Sequence, residues 1–155
     1  MLRQDVIYVG GGNTASLLAV WRVHGLDRVL ADAWYEGVLL CGVSAGMNCW
    51  FSESVTDSFG LSRLGALKDG LGLLAGSCCP HYDGEAQRRP TYHRLVGAGE
   101  LADGLAADDG AALVFVGDEL AELVSSRPGA AAYRVERVGD GVEERRLAAR
   151  YLGAS

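Results

Sequence analysis

The sequence predicts an α/β fold in which a mainly parallel sheet is followed by antiparallel strands, within a single domain of residues 1–155. Two observations predict this fold. The first half alternates apolar strand-like runs with helical stretches, and the last third consists of short β-rich runs separated by glycine turns. With 155 residues, of which 49% are apolar and 22% charged, the chain is long enough to bury one core.

The first half of the chain is predicted to form a parallel sheet with helical crossovers. Val6–Val9 is a short β-branched and aromatic run that ends at three glycines, which is typical of a buried strand. Asn13 is expected to cap the first helix, and a second helix is expected over residues 27–36. The run Val38–Cys41 is apolar throughout, as in a central strand buried on both faces, and a further helix is expected over about 44–51. This order predicts right-handed crossovers between parallel strands.

The second half is predicted to be irregular at first and then strand-rich. Residues 51–80 have no clean period, and long loops inside compact domains tend to be functional, although short strands within this stretch are the alternative. A helix is expected over about 90–97, with Pro90 in its first turn. Strands are expected at 111–116, 120–124 and 132–138. The last of these runs into Gly139-Asp140-Gly141, which predicts a tight hairpin.

Composition and charge exclude several classes of protein. The net charge is -6, from 14 Lys+Arg against 20 Asp+Glu, and no basic cluster suits a nucleic acid. No apolar run approaches the ~18 residues of a membrane span, and the N-terminus does not resemble a signal peptide. The four cysteines lack the spacing of a zinc site, and the adjacent Cys78 and Cys79 suit a reduced compartment. The sequence therefore predicts a cytoplasmic protein without a metal site.

The sharpest motif is Gly42-Val43-Ser44-Ala45-Gly46, which fits G-x-S-x-G between a predicted strand and a predicted helix. In such a nucleophile elbow the glycines permit a sharp turn that exposes the serine hydroxyl above the sheet. The helix start also supplies the Ala45 N–H to a developing oxyanion. A glycine-rich turn with a capping serine is the simpler interpretation, but the strand-turn-helix context favours Ser44 as a nucleophile.

A serine nucleophile needs a base, and the chain contains three histidines. His24 is expected to cap a helix end, and His93 is expected to lie solvated within a helix. His81 lies in a loop and begins a polar string, which makes it the best candidate for the base. The residues that could orient its imidazole are Asp57, Glu53, Asp83 and Glu85, and the sequence alone does not choose among them.

The glycine loop from Gly10 to Ala15 has two interpretations. It matches the dinucleotide fingerprint G-x-G-x-x-A after a strand and before a helix. That fingerprint also expects an acid at the end of the second strand, where this chain has Gly42 instead. The loop can alternatively deliver a second N–H to the oxyanion, which would unite both motifs in one site.

Three motifs together resemble the peptidase E family of serine peptidases, which includes aspartyl dipeptidases and has the cyanophycinases as relatives. They are Tyr8–Thr14, Gly42–Asn48 and Pro80–Tyr82, and the resemblance extends to Ala107–Ala111. It implies a class I glutamine-amidotransferase-like three-layer α/β sandwich. Amidotransferases have cysteine at the elbow, so a serine there indicates the peptidase branch.

The resemblance also implies roles for individual residues. Ser44 would be the nucleophile and His81 the general base, with Asp57 as the third member and Glu53 in reserve. The N–H groups of Gly11 and Ala45 would form the oxyanion hole. An arginine after the histidine reads the substrate aspartate in the family, and the matching candidates are Arg88 and Arg89. The simpler interpretation of both arginines is a solvated basic pair at a helix start.

The function implied is a serine exopeptidase that hydrolyses short peptides with N-terminal aspartate and needs no cofactor. An α/β-hydrolase esterase would share the elbow, but such enzymes place histidine near the C-terminus. The alternative from another class is a non-catalytic family remnant that binds an acidic ligand or serves as an assembly subunit.

The N-terminus departs from the family pattern. Family members carry additional strands and helices before the glycine loop, whereas this chain begins almost on it. A sheet without them would expose an edge and an apolar face. Either a partner chain and the C-terminal strands close that side, or the true start lies upstream. We expect a homodimer.

Overall fold

A computed structural model of the chain describes residues 1–60 and 63–153. Its helices within these residues are Thr14–Val23 (α1), Leu26–Tyr35 (α2), Ala45–Asn48 (α3) and Arg88–Gly97 (α4). Its strands are Val6–Val9 (β1), Leu39–Gly42 (β2), Phe51–Thr56 (β3), Gly65–Leu67 (β4), Leu74–Cys79 (β5), Gly104–Ala107 (β6), Ala111–Val116 (β7), Glu119–Ser125 (β8), Ala131–Val138 (β9), Gly141–Ala148 (β10) and Arg150–Tyr151 (β11).

The fold is α/β with mixed sheets, as predicted. The largest sheet has the strand order β10-β9-β6-β5-β3-β4, in which β3, β5 and β6 are parallel and the outer strands antiparallel. Strands β1 and β2 form a separate parallel pair, and β11, β8 and β7 form a third sheet. A tight turn at Gly139 joins β9 to β10, which confirms the predicted hairpin.

Helices cover both faces of the large sheet. Neighbouring residues of a strand point to opposite faces, so the adjacent residues Cys78 and Cys79 of β5 pack against different helices. Cys78 belongs to a core cluster that includes Leu18 of α1 and Leu30 of α2. Cys79 belongs to a second cluster that includes Tyr92 of α4. All four thiols are free, and Cys49, Cys78 and Cys79 are buried, which agrees with their expected role as small apolar side chains.

The helix ends follow the sequence closely. The Asn13 side chain accepts a hydrogen bond from the Ser16 N–H (2.8 Å), and His24 is the C-cap of α1, as predicted. Helix α4 begins two residues before Pro90, so the proline lies in the first turn. Helix α3 is shorter than expected, because β3 already begins at Phe51.

The segment expected to be irregular contains two central strands of the large sheet, β3 and β5. Their sequences, FSESVT and LAGSCC, mix polar and small residues and lack apolar alternation. Strand β6, with the sequence GLAA, was likewise not predicted. The burial of these strands comes from their neighbours on each side, which no local pattern encodes.

Strands β1 and β2 are each exposed on one face, which corrects the expectations of a buried strand at residues 6–9 and of a strand buried on both faces at residues 38–41. Val6, Tyr8 and Leu39 are 50%, 66% and 58% exposed, on the side of the β1–β2 pair that faces away from Ile7 and Val9. We call these three residues the outer face. None of the described helices is long and apolar enough to cross a membrane.

Candidate active site

Ser44 lies in a sharp turn that connects β2 directly to α3. Its backbone has φ 58° and ψ −114°, in the region that a side chain rarely adopts. The flanking glycines permit this turn. A Cβ on Gly42 would overlap the Gly46 carbonyl, and a Cβ on Gly46 would overlap the Val9 carbonyl of β1. The turn therefore has the geometry of a nucleophile elbow.

The glycine loop lies against this turn. A Cβ on Gly11 would be 3.4 Å from the Ser44 Cβ. Two hydrogen bonds connect Ser58 to the glycine loop and the start of α1. The Ser58 carbonyl accepts one from the Asn13 side chain (3.1 Å), and the Ser58 hydroxyl accepts one from the Ala15 N–H (3.3 Å). Within the described residues, the N–H groups of Gly11 and Ala45 have no hydrogen-bond acceptor. They are thus available to an oxyanion beside Ser44.

His81 follows the carboxyl end of β5 and is also backbone-strained, with φ 56°. The chain on either side of this strained residue is fixed by hydrogen bonds. The Tyr82 N–H donates to the Ala107 carbonyl at the end of β6 (3.0 Å), and the Glu85 N–H donates to the His81 carbonyl (3.1 Å). Among the described residues, Ser44 and His81 are the two non-glycine residues with positive φ.

The imidazole of His81 is paired with Asp109. Its Nδ1 lies 2.7 Å from Asp109 Oδ1, with side chains 24% and 53% exposed respectively. Asp109 follows β6, and because β5 and β6 are parallel neighbours, their carboxyl ends present both residues at one edge of the sheet. Sequence reasoning did not nominate this aspartate, because β6 was not recognised as a strand. The signal available was its place in the segment Ala107–Ala111.

In the described residues, none of the four carboxylates nominated from the sequence forms a hydrogen bond or ion pair with the His81 imidazole. Asp57 is exposed in the loop after β3, and the Glu53 carboxylate accepts from the Ala102 N–H (2.7 Å). The structure thus brings Gly11, Ala45 and Ser44 together, and it pairs His81 with an acid from a different loop.

The elbow is connected to β5, the strand that precedes His81. Asn48 at the end of α3 donates to the Val55 carbonyl (3.3 Å), and its side-chain oxygen accepts from the Cys78 thiol of β5 (3.4 Å). No hydrogen bond joins Ser44 to His81 in the described parts of the chain. Catalytic hydrogen bonds are often long without substrate and tighten when it binds.

Both candidate arginines are already bound to carboxylates. Arg88 is buried, with its guanidinium on both oxygens of Glu85 and on the Val55 carbonyl (3.2 Å). Arg89 is 49% exposed and forms an ion pair with Glu144. Arg88 is therefore not the solvated residue of the simpler interpretation. Arg88 connects α4 to β3 through the Val55 carbonyl, whereas about half of the Arg89 side chain is exposed to solvent at the start of α4.

Glu144 of β10 is the centre of a polar cluster beside the candidate site. It is 14% exposed and accepts hydrogen bonds from Tyr82, Arg89 and His93. Burial alone would raise the pKa of the Glu144 carboxyl, but these three hydrogen bonds lower it below its ordinary value. His93, which was expected to be solvated, is therefore bonded to a carboxylate.

The cysteines near the site are poor nucleophiles. Burial raises the pKa of the Cys49 and Cys79 thiols to about 12, and it raises that of Cys78 as well. Because the thiolate is the reactive form of cysteine, these three buried thiols are unreactive near neutral pH. The described residues contain no group of three or more His, Cys, Asp or Glu that could hold a metal ion.

The chain is similar to a known peptidase family and to a curated protein. The model of "Peptidase family S51" matches residues 1–123. A protein of Bacillus subtilis (strain 168) named "Uncharacterized peptidase YgaJ" is 54% identical over 153 residues. That alignment covers 99% of this chain and 65% of the relative, so the chain spans slightly less than two thirds of the length of the curated relative.

Proposed function

The chain belongs to peptidase family S51, and on that premise we propose that it is a serine peptidase with Ser44 as nucleophile. Family membership confirms the resemblance predicted from the three sequence motifs. One observation carries the proposal for the site: among the residues that the structure describes, the two non-glycine residues with positive φ are Ser44 and His81, the nucleophile and base expected from the sequence. Strain of this kind persists where the surrounding structure enforces it, and it is concentrated at active sites.

In the proposed mechanism, Ser44 Oγ attacks the scissile carbonyl while His81 Nε2 takes its proton. Nε2 is the nitrogen free to do so, because Nδ1 is bonded to Asp109. The tetrahedral oxyanion accepts hydrogen bonds from the Gly11 and Ala45 N–H groups. His81 then gives its proton to the leaving amine, and water releases the acyl group from Ser44 by the same steps. In this proposal Asp109 replaces the sequence candidate Asp57 as the orienting acid.

We propose further that the substrate is a short peptide with N-terminal aspartate. Arg89 is the better candidate than Arg88 to bind the aspartate side chain. Arg88 is buried and bound on three sides, whereas Arg89 is half exposed and uses Nε and Nη2 for Glu144. Its Nη1 donors remain available to a substrate carboxylate.

The experiment compares hydrolysis of Asp-Leu and an aspartyl chromogenic amide with that of alanyl and lysyl analogues, using wild type and Ser44→Ala. We expect turnover selective for aspartate that is lost in the variant. A fluorophosphonate probe should label wild type at Ser44 and leave Ser44→Ala unlabelled. Folded protein that is neither labelled nor active, yet binds aspartate by calorimetry, would instead support a non-catalytic binding module.

Selectivity is tested by Arg89→Ala, with Arg94→Ala as the matched control. Arg94 is exposed on the same helix and is also paired with a carboxylate, that of Glu100. We expect Arg89→Ala to raise KM for aspartyl substrates while turnover of the alanyl analogue persists. If both variants changed KM for aspartyl substrates equally, Arg89 would be excluded as the residue that binds the substrate aspartate.

We also propose a homodimer that covers the outer face. Support comes from the exposure of Val6, Tyr8 and Leu39, since adjacent exposed apolar side chains commonly mark an interface. A stable, active monomer in sedimentation would contradict it. A cytoplasmic location is proposed as well, supported by the four free thiols.

A further inference from the structure

The backbone of Asp109 is held from both sides by two residues outside the proposed triad. Asp83 Oδ1 accepts from the Asp109 N–H (2.8 Å). Arg127, in the connection between β8 and β9, donates from Nε to the Asp109 carbonyl (3.0 Å). Arg127 also forms an ion pair with the other oxygen of Asp83. These contacts close a ring around the peptide groups of Asp109.

A third residue limits where the Asp109 carboxylate can lie. A Cβ on Gly84 would overlap Asp109 Oδ2 and would lie 2.9 Å from Asp109 Cγ. Gly84 does not have a positive φ, so its backbone would accept alanine without strain. The absence of a side chain at this position therefore makes room for the carboxylate that bonds to His81.

The contacts of Asp83 and Arg127 contribute more to the position of Asp109 than to the stability of the fold. The side chains of Asp83 and Arg127 are 38% and 49% exposed, and ion pairs at that exposure contribute little to folding. Partial desolvation would raise the pKa of Asp83, but the Asp109 N–H and Arg127 outweigh it and lower that pKa. Asp83 thus remains a charged acceptor for the Asp109 N–H near neutral pH.

We propose that Asp83, Gly84 and Arg127 form a clamp that positions the Asp109 carboxylate on His81 Nδ1. These are positioning residues, because they act through Asp109 and not on substrate. The consequence for turnover rests on the proposed peptidase function. The effect of the clamp on the hydrogen bond between His81 and Asp109 is independent of that function, and it can be measured on inactive protein.

The test follows that hydrogen bond by proton NMR, together with kcat and KM. An imidazole Nδ1–H bonded to a carboxylate gives a resonance far downfield, assigned here by its loss in Asp109→Asn. The variants are Arg127→Ala, Arg127→Lys and Gly84→Ala. The matched control is Arg22→Ala at the C-terminal end of α1, because Arg22 also binds an aspartate carboxylate and a backbone carbonyl.

We expect Arg127→Ala to broaden or abolish the resonance and to lower kcat about tenfold with little change in KM, since misplaced catalytic groups act on the chemical step. Arg127→Lys should restore part of both, because one ammonium can make only some of these bonds. Gly84→Ala should displace the carboxylate with every charge retained. Arg22→Ala should change neither reading.

Two results would overturn the clamp. The first is that Arg127→Ala and Gly84→Ala both show the same downfield resonance and the same kcat as the control Arg22→Ala. The other is loss of the resonance in Arg22→Ala to the same degree, since it would show a general loss of structure. If Arg127→Ala does not fold, the resonance and kcat of Gly84→Ala alone test the clamp. A wild-type protein that shows the resonance but hydrolyses no peptide would refute the proposed function and leave the clamp standing.

Discussion

Replacing Asp109 by asparagine tests the choice of the third triad member most directly. The substitution removes the charge that stabilises the imidazolium formed when His81 takes the Ser44 proton. Two charges about 4 Å apart interact by ~1 kcal/mol in water and ~4 kcal/mol at an effective dielectric of about 20. Asp109 is 53% exposed and His81 24% exposed, so an intermediate loss of about 2–3 kcal/mol is expected. At 1.36 kcal/mol per decade, kcat should fall about 30- to 150-fold.

This loss is smaller than the ~10⁴-fold effect found where the triad acid is buried. The assay is kcat on an aspartyl chromogenic amide, combined with the rate of fluorophosphonate labelling at Ser44. The labelling rate should fall in parallel, because it depends on the same base. Circular dichroism should be unchanged, since Asp109 is largely exposed.

Asp57→Asn is the matched control, because Asp57 is exposed and the His81 imidazole is paired with Asp109 instead. It should leave kcat within about twofold of wild type, as is usual for a surface substitution. A larger loss in Asp57→Asn than in Asp109→Asn would refute the reasoning. It would mean that the loop after β3 moves to His81 when substrate binds.

Three further predictions concern stability. Tyr92→Phe removes a buried hydroxyl that lies 2.7 Å from Ser77 Oγ, and it should cost about 1 kcal/mol in chemical denaturation, with a loss above about 3 kcal/mol contradicting the hydrogen-bond account. Gly46→Ala forces a Cβ into the Val9 carbonyl and should cost about 3 kcal/mol and abolish fluorophosphonate labelling, whereas an unperturbed melting temperature would refute the elbow packing. Glu144 has a lowered pKa, so its carboxylate stabilises the fold above the ordinary pKa and this contribution is lost as pH falls through the folded-state value. Glu144→Gln should therefore be less stable than wild type at pH 7, and its stability should decline less as the pH falls below the ordinary carboxyl pKa, which denaturation at several pH values will test.

The elbow was predictable because its chemistry is local. Gly42, Ser44 and Gly46 lie within five residues, and the constraint that they satisfy is a backbone turn between a strand and a helix. The loop that begins at Gly10 was predictable for the same reason. Sequence reasoning could also select His81, because the three histidines differ in their local context.

Asp109 was not predictable in this way. It is 28 residues from His81, and the two meet only because β5 and β6 are adjacent parallel strands. The sequences of both strands are short and rich in small residues, so periodicity did not reveal them. Asp57, with Glu53 in reserve, was instead predicted from the resemblance, because Asp57 occupies about the place of the family's acid.

By itself, the sequence determined the family, the α/β class and the sharp turn at Ser44, and it nominated His81 as the candidate base. These depend on residues close together in the chain, where glycine, serine and turn preferences act directly. The tertiary structure decided which carboxylate reaches His81, which arginine remains exposed, and that Asp83 and Arg127 hold Asp109. Those choices depend on strand neighbours and side-chain packing, since sheet pairing brings together residues whose separation along the chain carries no signal of contact.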